Sequence, residues 1–101
     1  MEKIENILKG RPLVLVQFGL ESCLPCHNIR EKINLWIKDH PLVSYEYVDM
    51  AKNAELCGQL EIFVAPTLVL FADGKKSLQV SRSFSLLEVM ELAEKYEKMM
   101  E

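Results

Sequence analysis

The apolar residues in the first part of the chain alternate between helical and strand spacing, with Gly or Pro between the segments. Ile4, Ile7 and Leu8 lie three and four residues apart, which predicts a short first helix. Residues 13–18 are apolar at nearly every position, which is typical of a strand covered on both faces in a parallel sheet. Helical spacing then returns and predicts the main helix, marked by the apolar residues Ile29, Ile33, Trp36 and Ile37.

The middle of the chain predicts a second strand, a second helix and a third strand. Residues 43–48 are rich in β-favouring side chains, and residues 51–60 form a helical stretch that Gly58 weakens. Residues 67–71 predict another buried strand, which Pro66 opens at a position where a missing N–H costs least. The order of these elements indicates an α/β protein.

A hairpin and a capped helix follow. Asp73 and Gly74 predict a tight turn, after which residues 78–81 return as an antiparallel strand. Ser85 and Glu88 form a capping box that begins the last helix. We expect its buried stripe to contain the apolar residues Leu86, Val89, Leu92, Ala93 and Tyr96.

The charged residues of the last helix predict a solvated face. That face comprises Glu88, Glu91, Glu94, Lys95, Glu97 and Lys98. His40, beside Pro41, is expected to be an ordinary helix-end residue.

Composition narrows the possible functions. The 101 residues include 12 basic and 15 acidic side chains, so the net charge of −3 attracts neither nucleic acid nor an anionic membrane surface. The length suits a single domain spanning residues 1–101. The longest apolar stretch, residues 13–20, is too short to span a membrane, and the first residues do not resemble a signal peptide. We therefore expect a cytoplasmic protein.

Two of the three cysteines, Cys23 and Cys26, are spaced Cys-x-x-Cys at the predicted junction of a strand and a helix. A reducing cytoplasm keeps thiols free, so this spacing indicates redox chemistry or metal binding rather than a structural framework. The unpaired N–H groups of a first helical turn favour a thiolate at Cys23. Pro25 suits that turn because its missing N–H breaks no bond. By spacing alone the pair could also be two ordinary small apolar residues.

Two further ligand patterns compete for the same cysteines. His27 follows Cys26, and Cys-x-x-Cys-His is the attachment sequence for c-type haem. A zinc site would need four ligands, for which the obvious set is Cys23, Cys26, His27 and Cys57. Haem attachment needs export, and zinc has no second Cys-x-x-Cys, so we expect neither cofactor nor metal. Cys57 is expected to be a buried apolar residue.

Two segments carry a resemblance to a known family. Residues 17–26, QFGLESCLPC, resemble the active-site stretch of the thioredoxins, and residues 64–71, VAPTLVLF, resemble their proline loop and the strand after it. The hairpin and the capped last helix also fall where that family has them. The resemblance implies a thioredoxin fold with a central four-stranded mixed sheet flanked by helices. It also implies a trimmed form without the family's extra N-terminal strand.

The resemblance assigns roles to the matched residues. It implies that Cys23 is the attacking thiol, Cys26 the resolving thiol and Pro66 a cis-proline beside them. Ala65 would offer its backbone to an extended substrate chain. The implied activity is that of a thiol–disulfide oxidoreductase in cell redox homeostasis and electron transport. Its partners would be protein disulfides and a reducing donor such as thioredoxin reductase.

The sequence departs from the family pattern at four positions. Gln17 stands where the family usually buries an Asp, and an amide cannot take the proton of the inner cysteine, so resolution is expected to be slower. Ser22 replaces the usual Trp and Leu24 the usual Gly, which rebuilds the contact surface around the sulfur. Arg82 falls near a loop position where the family keeps a Gly close to the disulfide. The alternative function is therefore an interaction module with little or no disulfide turnover.

Overall fold

The computed structural model describes residues 3–101 as a four-stranded mixed sheet with helices on both faces. This confirms the fold class that the sequence predicted. In chain order the elements are α1 (Ile4–Leu8), β1 (Leu13–Gly19), α2 (Leu24–Trp36) with a short 3₁₀ turn (Ile37–Asp39), β2 (Val43–Asp49), α3 (Ala54–Gln59), β3 (Thr67–Ala72), β4 (Lys75–Ser81) and α4 (Leu86–Met100).

The sheet order is β2-β1-β3-β4, with β1 in the interior. Strand β1 pairs parallel with β2 and antiparallel with β3, and β3 pairs antiparallel with β4. Every residue of β1 is buried, which agrees with the continuous apolar run that predicted it. Because alternate side chains of a strand point to opposite faces, β1 contributes to two separate cores.

The first core lies on the α1 and α3 side of the sheet and contains Ile7, Val14, Val16, Phe18 and Leu56. The second lies on the α2 and α4 side and contains Leu13, Leu15, Ile33, Val89 and Ala93. Gln17 alternates with the residues of the first core, so its side chain belongs to the α2 side. Its hydrogen bond to the carbonyl oxygen of Cys26 places Gln17 beneath the N-terminal end of α2.

The hairpin begins pairing earlier than the sequence predicted. Asp73 and Gly74 both have positive φ, 50° and 79°, which is the backbone of a two-residue hairpin turn. Pairing therefore starts directly at Ala72 and Lys75 rather than at Leu78. The sequence did not indicate this extension because the first residues of β4 are polar. Their side chains face solvent, since β4 is an edge strand.

Helix α4 begins as predicted, but its charged face does not lie wholly in solvent. The Oγ of Ser85 accepts a hydrogen bond from the N–H of Glu88 at 3.2 Å. Glu97 is buried, with 7% of its surface exposed, and its carboxylate lies 2.6 Å from Nδ1 of His40. Glu94 accepts a hydrogen bond from Nε1 of Trp36 at 3.0 Å. The expectation of a solvated Glu97 was wrong. His40 does lie at a helix end, as expected, but it also pairs with Glu97.

No helix within residues 3–101 has both the length and the apolar character needed to cross a membrane.

Candidate active site

The two cysteines of the motif lie at the N-terminal end of α2, directly after the loop that leaves β1. Cys23 is the N-cap residue, with extended backbone, and Pro25 occupies the first turn. The backbone N–H of Cys26 points at Sγ of Cys23 over 3.2 Å. The two cysteines form a disulfide, with their Cα atoms 5.3 Å apart. The disulfide therefore lies at the N-terminal end of α2.

The two sulfur-bearing residues differ in accessibility. Cys23 is half-buried, whereas Cys26 is fully buried. The first turn of α2 contains no acidic residue that would offset the partial positive charge of the helix N-terminus. The outer cysteine is thus accessible to a second molecule and lies in a position that favours its thiolate.

Gln17 and Tyr45 form a hydrogen-bonded pair behind Cys26. Gln17 is completely buried, and its Nε2 donates to the carbonyl oxygen of Cys26 at 2.8 Å. Its Oε1 accepts a short hydrogen bond from the hydroxyl of Tyr45. Burial raises the pKa of Tyr45, so this hydroxyl remains a donor at neutral pH. Sequence reasoning singled out Gln17 but missed Tyr45.

Tyr47 was also missed, although it lies closer to the disulfide end of the sheet. Its ring packs against the bare Cα of Gly19, and the guanidinium carbon of Arg30 lies 4.4 Å from the ring centroid. Burial raises the pKa of Tyr47. Tyr45 and Tyr47 are two apart in β2 and so share a face of the sheet, which is the signal that could have found them.

The proline loop precedes β3. The Ala65–Pro66 peptide bond is cis, Pro66 is buried and Ala65 is half-buried. The backbone N–H of Arg82 donates to the carbonyl oxygen of Pro66 at 2.9 Å. Arg82 has a φ of 63°, a conformation that favours glycine. The backbone at position 82 is thus held against the proline loop.

Several exposed side chains belong to these two segments. Ser22 is exposed, and Leu24 exposes 69% of its surface. Phe63, which sequence reasoning did not select, is 74% exposed in the loop before Pro66. Single exposed apolar side chains are normal on a protein surface, so Leu24 and Phe63 are of interest only because they belong to the cysteine and proline segments.

The remaining residues of the competing ligand patterns are dispersed. A ring nitrogen of His27 lies 2.6 Å from the carbonyl oxygen of Glu21. Cys57 is buried in the core on the α3 side, the opposite face of the sheet from α2, and burial raises the pKa of its thiol. Across residues 3–101, no three His, Cys, Asp or Glu side chains are grouped so that they could hold a metal ion.

Comparison with known proteins agrees with this geometry. The family model described as Thioredoxin matches residues 2–97. A protein named thioredoxin from Chlamydia trachomatis is 33% identical over 82 residues, which is 81% of this chain and 76% of the relative. The thioredoxin-like protein YdfQ of Bacillus subtilis is 25% identical over 78% of this chain and 70% of its own length. The crystal structure of Fasciola hepatica thioredoxin superposes with a TM-score of 0.77 at 30% identity, covering 92% of this chain and 88% of that one.

A disulfide lies at the start of the helix after β1, and the buried cis-proline Pro66 directly precedes Thr67, which pairs with Phe18 of β1. This arrangement on a mixed sheet defines the class of thiol–disulfide oxidoreductases with this fold. The family match, the sequence identity to the relatives and the structural superposition each cover most of the chain. The chain belongs to the thioredoxin family.

Proposed function

We propose that the chain reduces protein disulfides, with Cys23 as the attacking thiol and Cys26 as the resolving thiol. The observation that carries this assignment is the difference in accessibility, since Cys23 is half-buried and Cys26 fully buried. A substrate sulfur can reach the outer cysteine only. The N–H of Cys26, which points at Sγ of Cys23, and the helix N-terminus favour the thiolate of Cys23.

The proposed cycle has two exchanges. The thiolate of Cys23 attacks one sulfur of a substrate disulfide, forms a mixed disulfide and releases the other substrate sulfur as a thiolate. Cys26 then loses its proton and attacks Sγ of Cys23. The bond between Cys23 and the substrate breaks, the second substrate thiolate leaves, and the disulfide seen in the structure remains.

The proline loop and the residues around the motif are proposed to bind the substrate chain. Ala65, next to Pro66, would offer its backbone to an extended peptide, a mode that reads main chain more than side chain. Ser22 and Leu24 would contact the same peptide from the other side of the disulfide, and their exposure supports this role. Arg82 would lie beside the bound peptide, because its backbone is bonded to the proline loop. Pro25 stiffens the turn that holds the two sulfurs.

Regeneration requires an external reductant. Membership in the family supports thioredoxin reductase or another thiol donor as the partner that supplies electrons. We propose the cytoplasm as the compartment, because a reducing environment keeps the dithiol available for another cycle.

A second candidate is an interaction module that keeps the fold but turns over disulfides slowly. Gln17 is the observation that favours it, because the buried amide behind Cys26 cannot accept the thiol proton that resolution must remove. Reduction of insulin disulfides separates the two candidate functions.

The test is reduction of insulin disulfides with dithiothreitol as the electron donor. We expect the chain to accelerate the reaction and Cys23→Ser to lower the rate to that of dithiothreitol alone. Once dithiothreitol has been removed, reduced Cys26→Ser should accumulate a covalent mixed disulfide with the substrate, because the resolving thiol is absent.

Cys57→Ala is the matched control, because it removes a thiol that is buried on the opposite face of the sheet. It should retain the rate of the unsubstituted protein. Equal rates for the protein and Cys23→Ser would refute the oxidoreductase assignment. Capture of substrate by Cys26→Ser without turnover by the unsubstituted protein would support the interaction module.

A further inference from the structure

The hydroxyl of Tyr47 is buried without a hydrogen-bond partner among residues 3–101. Its neighbour Tyr45 on the same strand face uses its hydroxyl to bond Gln17. A buried hydroxyl without a partner costs free energy, and Phe at this position would avoid that cost. An acceptor that becomes available in another state of the molecule would remove this cost.

The phenol end of Tyr47 lies against the backbone next to Cys26. A Cβ built on Gly19 would collide with the hydroxyl oxygen of Tyr47, would lie 2.8 Å from Cζ of the same ring and 3.1 Å from Cβ of Cys26. The tyrosine hydroxyl and Cβ of Cys26 therefore both lie close to the same bare Cα. Gly19 has no side chain to separate them.

We propose that Tyr47 donates its O–H to Sγ of Cys26 in the reduced protein and stabilises the thiolate that resolves the mixed disulfide. This rests on the resolving role proposed for Cys26 above. In the oxidised protein Sγ of Cys26 is bonded to Cys23, is a weak acceptor and lies outside hydrogen-bonding geometry of the Tyr47 hydroxyl, so the proposed bond forms only when Sγ turns toward the phenol as the disulfide opens. Reduction restores the thiol of Cys26, and loss of its proton creates a negative charge that a neighbouring O–H can bind.

The surroundings of Tyr47 keep it a donor rather than a base. Burial raises the pKa of Tyr47; the guanidinium of Arg30, over the ring, acts against this shift, and the carboxylates of Asp49 and Glu21 add to it. The neighbouring hydroxyl of Tyr45 also remains protonated, because burial raises its pKa as well. The phenol is thus neutral at neutral pH.

The resolving step needs no buried carboxylate to accept the thiol proton. The thiol proton of Cys26 passes to water, and the resulting thiolate attacks Sγ of Cys23. The Cys23–Cys26 bond forms as the bond from Cys23 to the substrate sulfur breaks, and that sulfur leaves as a thiolate. Tyr47 holds its own proton throughout and acts only by hydrogen bonding to the charged sulfur.

The test measures closure of the dithiol after one cysteine has been modified. Reduced protein carrying Cys57→Ala is mixed with one equivalent of Ellman's reagent, which releases one thionitrobenzoate on attack by Cys23 and a second when Cys26 closes the disulfide. The rate of the second release is recorded from neutral to alkaline pH, with and without Tyr47→Phe.

We expect the pH profiles of the second release to cross between the parent and Tyr47→Phe. Loss of the hydrogen bond should raise the midpoint of the profile by about one pH unit, so fewer molecules carry the thiolate at neutral pH. A less stabilised thiolate is also a better nucleophile, so Tyr47→Phe should be about threefold slower at neutral pH and about threefold faster once the thiol is fully ionised. A merely structural role would slow closure at every pH.

Tyr96→Phe is the control, because it removes a hydroxyl that pairs with Oγ of Ser77 at the surface. Its profile should coincide with that of the parent. A Tyr47→Phe profile that coincides with the parent, or that is lower at every pH, would overturn the proposal and leave the proposed function intact. If the parent itself does not release the second equivalent, the proposed function fails and Tyr47 has no thiolate to stabilise.

A measurement on the unsubstituted protein guards against a variant that does not fold. The ¹³Cζ resonance of Tyr47 is followed in the reduced protein as Cys26 ionises, with that of Tyr96 as reference. We expect the Tyr47 resonance to titrate together with the Cβ resonance of Cys26. A Tyr47 resonance that does not respond would equally overturn the proposal.

Discussion

The hydrogen-bonded pair behind the carbonyl group of Cys26 consists of two neutral side chains, Gln17 and Tyr45. The amide of Gln17 donates to the Cys26 carbonyl and accepts from Tyr45. An amide does not titrate, and burial raises the pKa of Tyr45 away from neutrality. The pair therefore keeps the same hydrogen bonds across the neutral pH range and acts through position rather than through charge.

A double-mutant cycle tests this pair. Gln17→Leu should lower the free energy of unfolding by about 1–3 kcal/mol, because it leaves the buried hydroxyl of Tyr45 without an acceptor. Tyr45→Phe should also destabilise, because it leaves Oε1 of Gln17 without a donor. The double variant removes both partners and should be less destabilised than the sum, with a coupling of about 0.5–3 kcal/mol. Urea unfolding of the oxidised proteins measures all three.

The control cycle combines Gln17→Leu with Tyr96→Phe. The hydroxyl of Tyr96 bonds Ser77 at the surface and shares no partner with Gln17, so these costs should add. Additive costs for Gln17→Leu with Tyr45→Phe would show that the buried pair contributes nothing as a unit.

Which site residues the sequence could reveal depends on how local their contacts are. Cys23, Pro25 and Cys26 lie within one helical turn, so their spacing, together with their position at a predicted strand–helix junction, indicated their arrangement. Tyr45 is 28 residues from Gln17 in the chain. Its contact depends on the register between β1 and β2, which no local pattern specifies. The sequence showed that Tyr45 and Tyr47 share a strand face, but it did not show that Gln17 is the partner of Tyr45.

At the scale of elements, α4 shows how residue type can hide a helical pattern. Val89, Ala93 and Glu97 follow each other at intervals of four, so they lie on one face. The charge of Glu97 led to the expectation that it faces solvent. The structure buries it because His40, in the turn after α2, supplies a partner at 2.6 Å. His40 also stacks on the ring of Trp36 at a centroid distance of 4.1 Å.

His40 should therefore contribute to stability more than a helix-end residue would. We expect His40→Ala to lower the free energy of unfolding by about 1–3 kcal/mol, because it leaves the buried carboxylate of Glu97 without its partner. Urea unfolding measures the change. Glu91→Ala, on the exposed face of α4, is the control and should stay within about 0.5 kcal/mol of the parent. A loss in His40→Ala no larger than in the control would mean that the contact does not stabilise α4.

At the scale of the whole molecule, the apolar pattern predicted the number and type of elements but not their order in the sheet. The continuous apolar run of β1 indicated a strand covered on both faces, and the structure confirms this with a separate core on each face of β1. The antiparallel direction of β3 against β1 depends on the path of the loop before Pro66, which carries no periodic signal. The resemblance to the thioredoxins, rather than the pattern, supplied the mixed sheet.

The shared central sheet makes a prediction about cooperativity. The two cores lie on opposite faces of β1 and β3, so neither can lose its packing without exposing the back of the other. Trp36, the single tryptophan, reports on the α2 and α4 side, and Cys57, the free thiol of the oxidised protein, reports on the α3 side. We expect urea to change Trp36 fluorescence and to expose Cys57 to a thiol reagent with the same midpoint, as in a two-state domain.

Cys57 is a sensitive probe, because burial both shields its sulfur and raises the pKa of its thiol, so the native protein should react slowly. The labelling pulse must be short compared with unfolding, so that it reports the population present at each urea concentration. Labelling of Cys57 at urea concentrations that leave Trp36 fluorescence unchanged would show that the α3 side opens by itself. The short helices α1 and α3 would then form a unit less stable than the sheet and the disulfide-bearing helix.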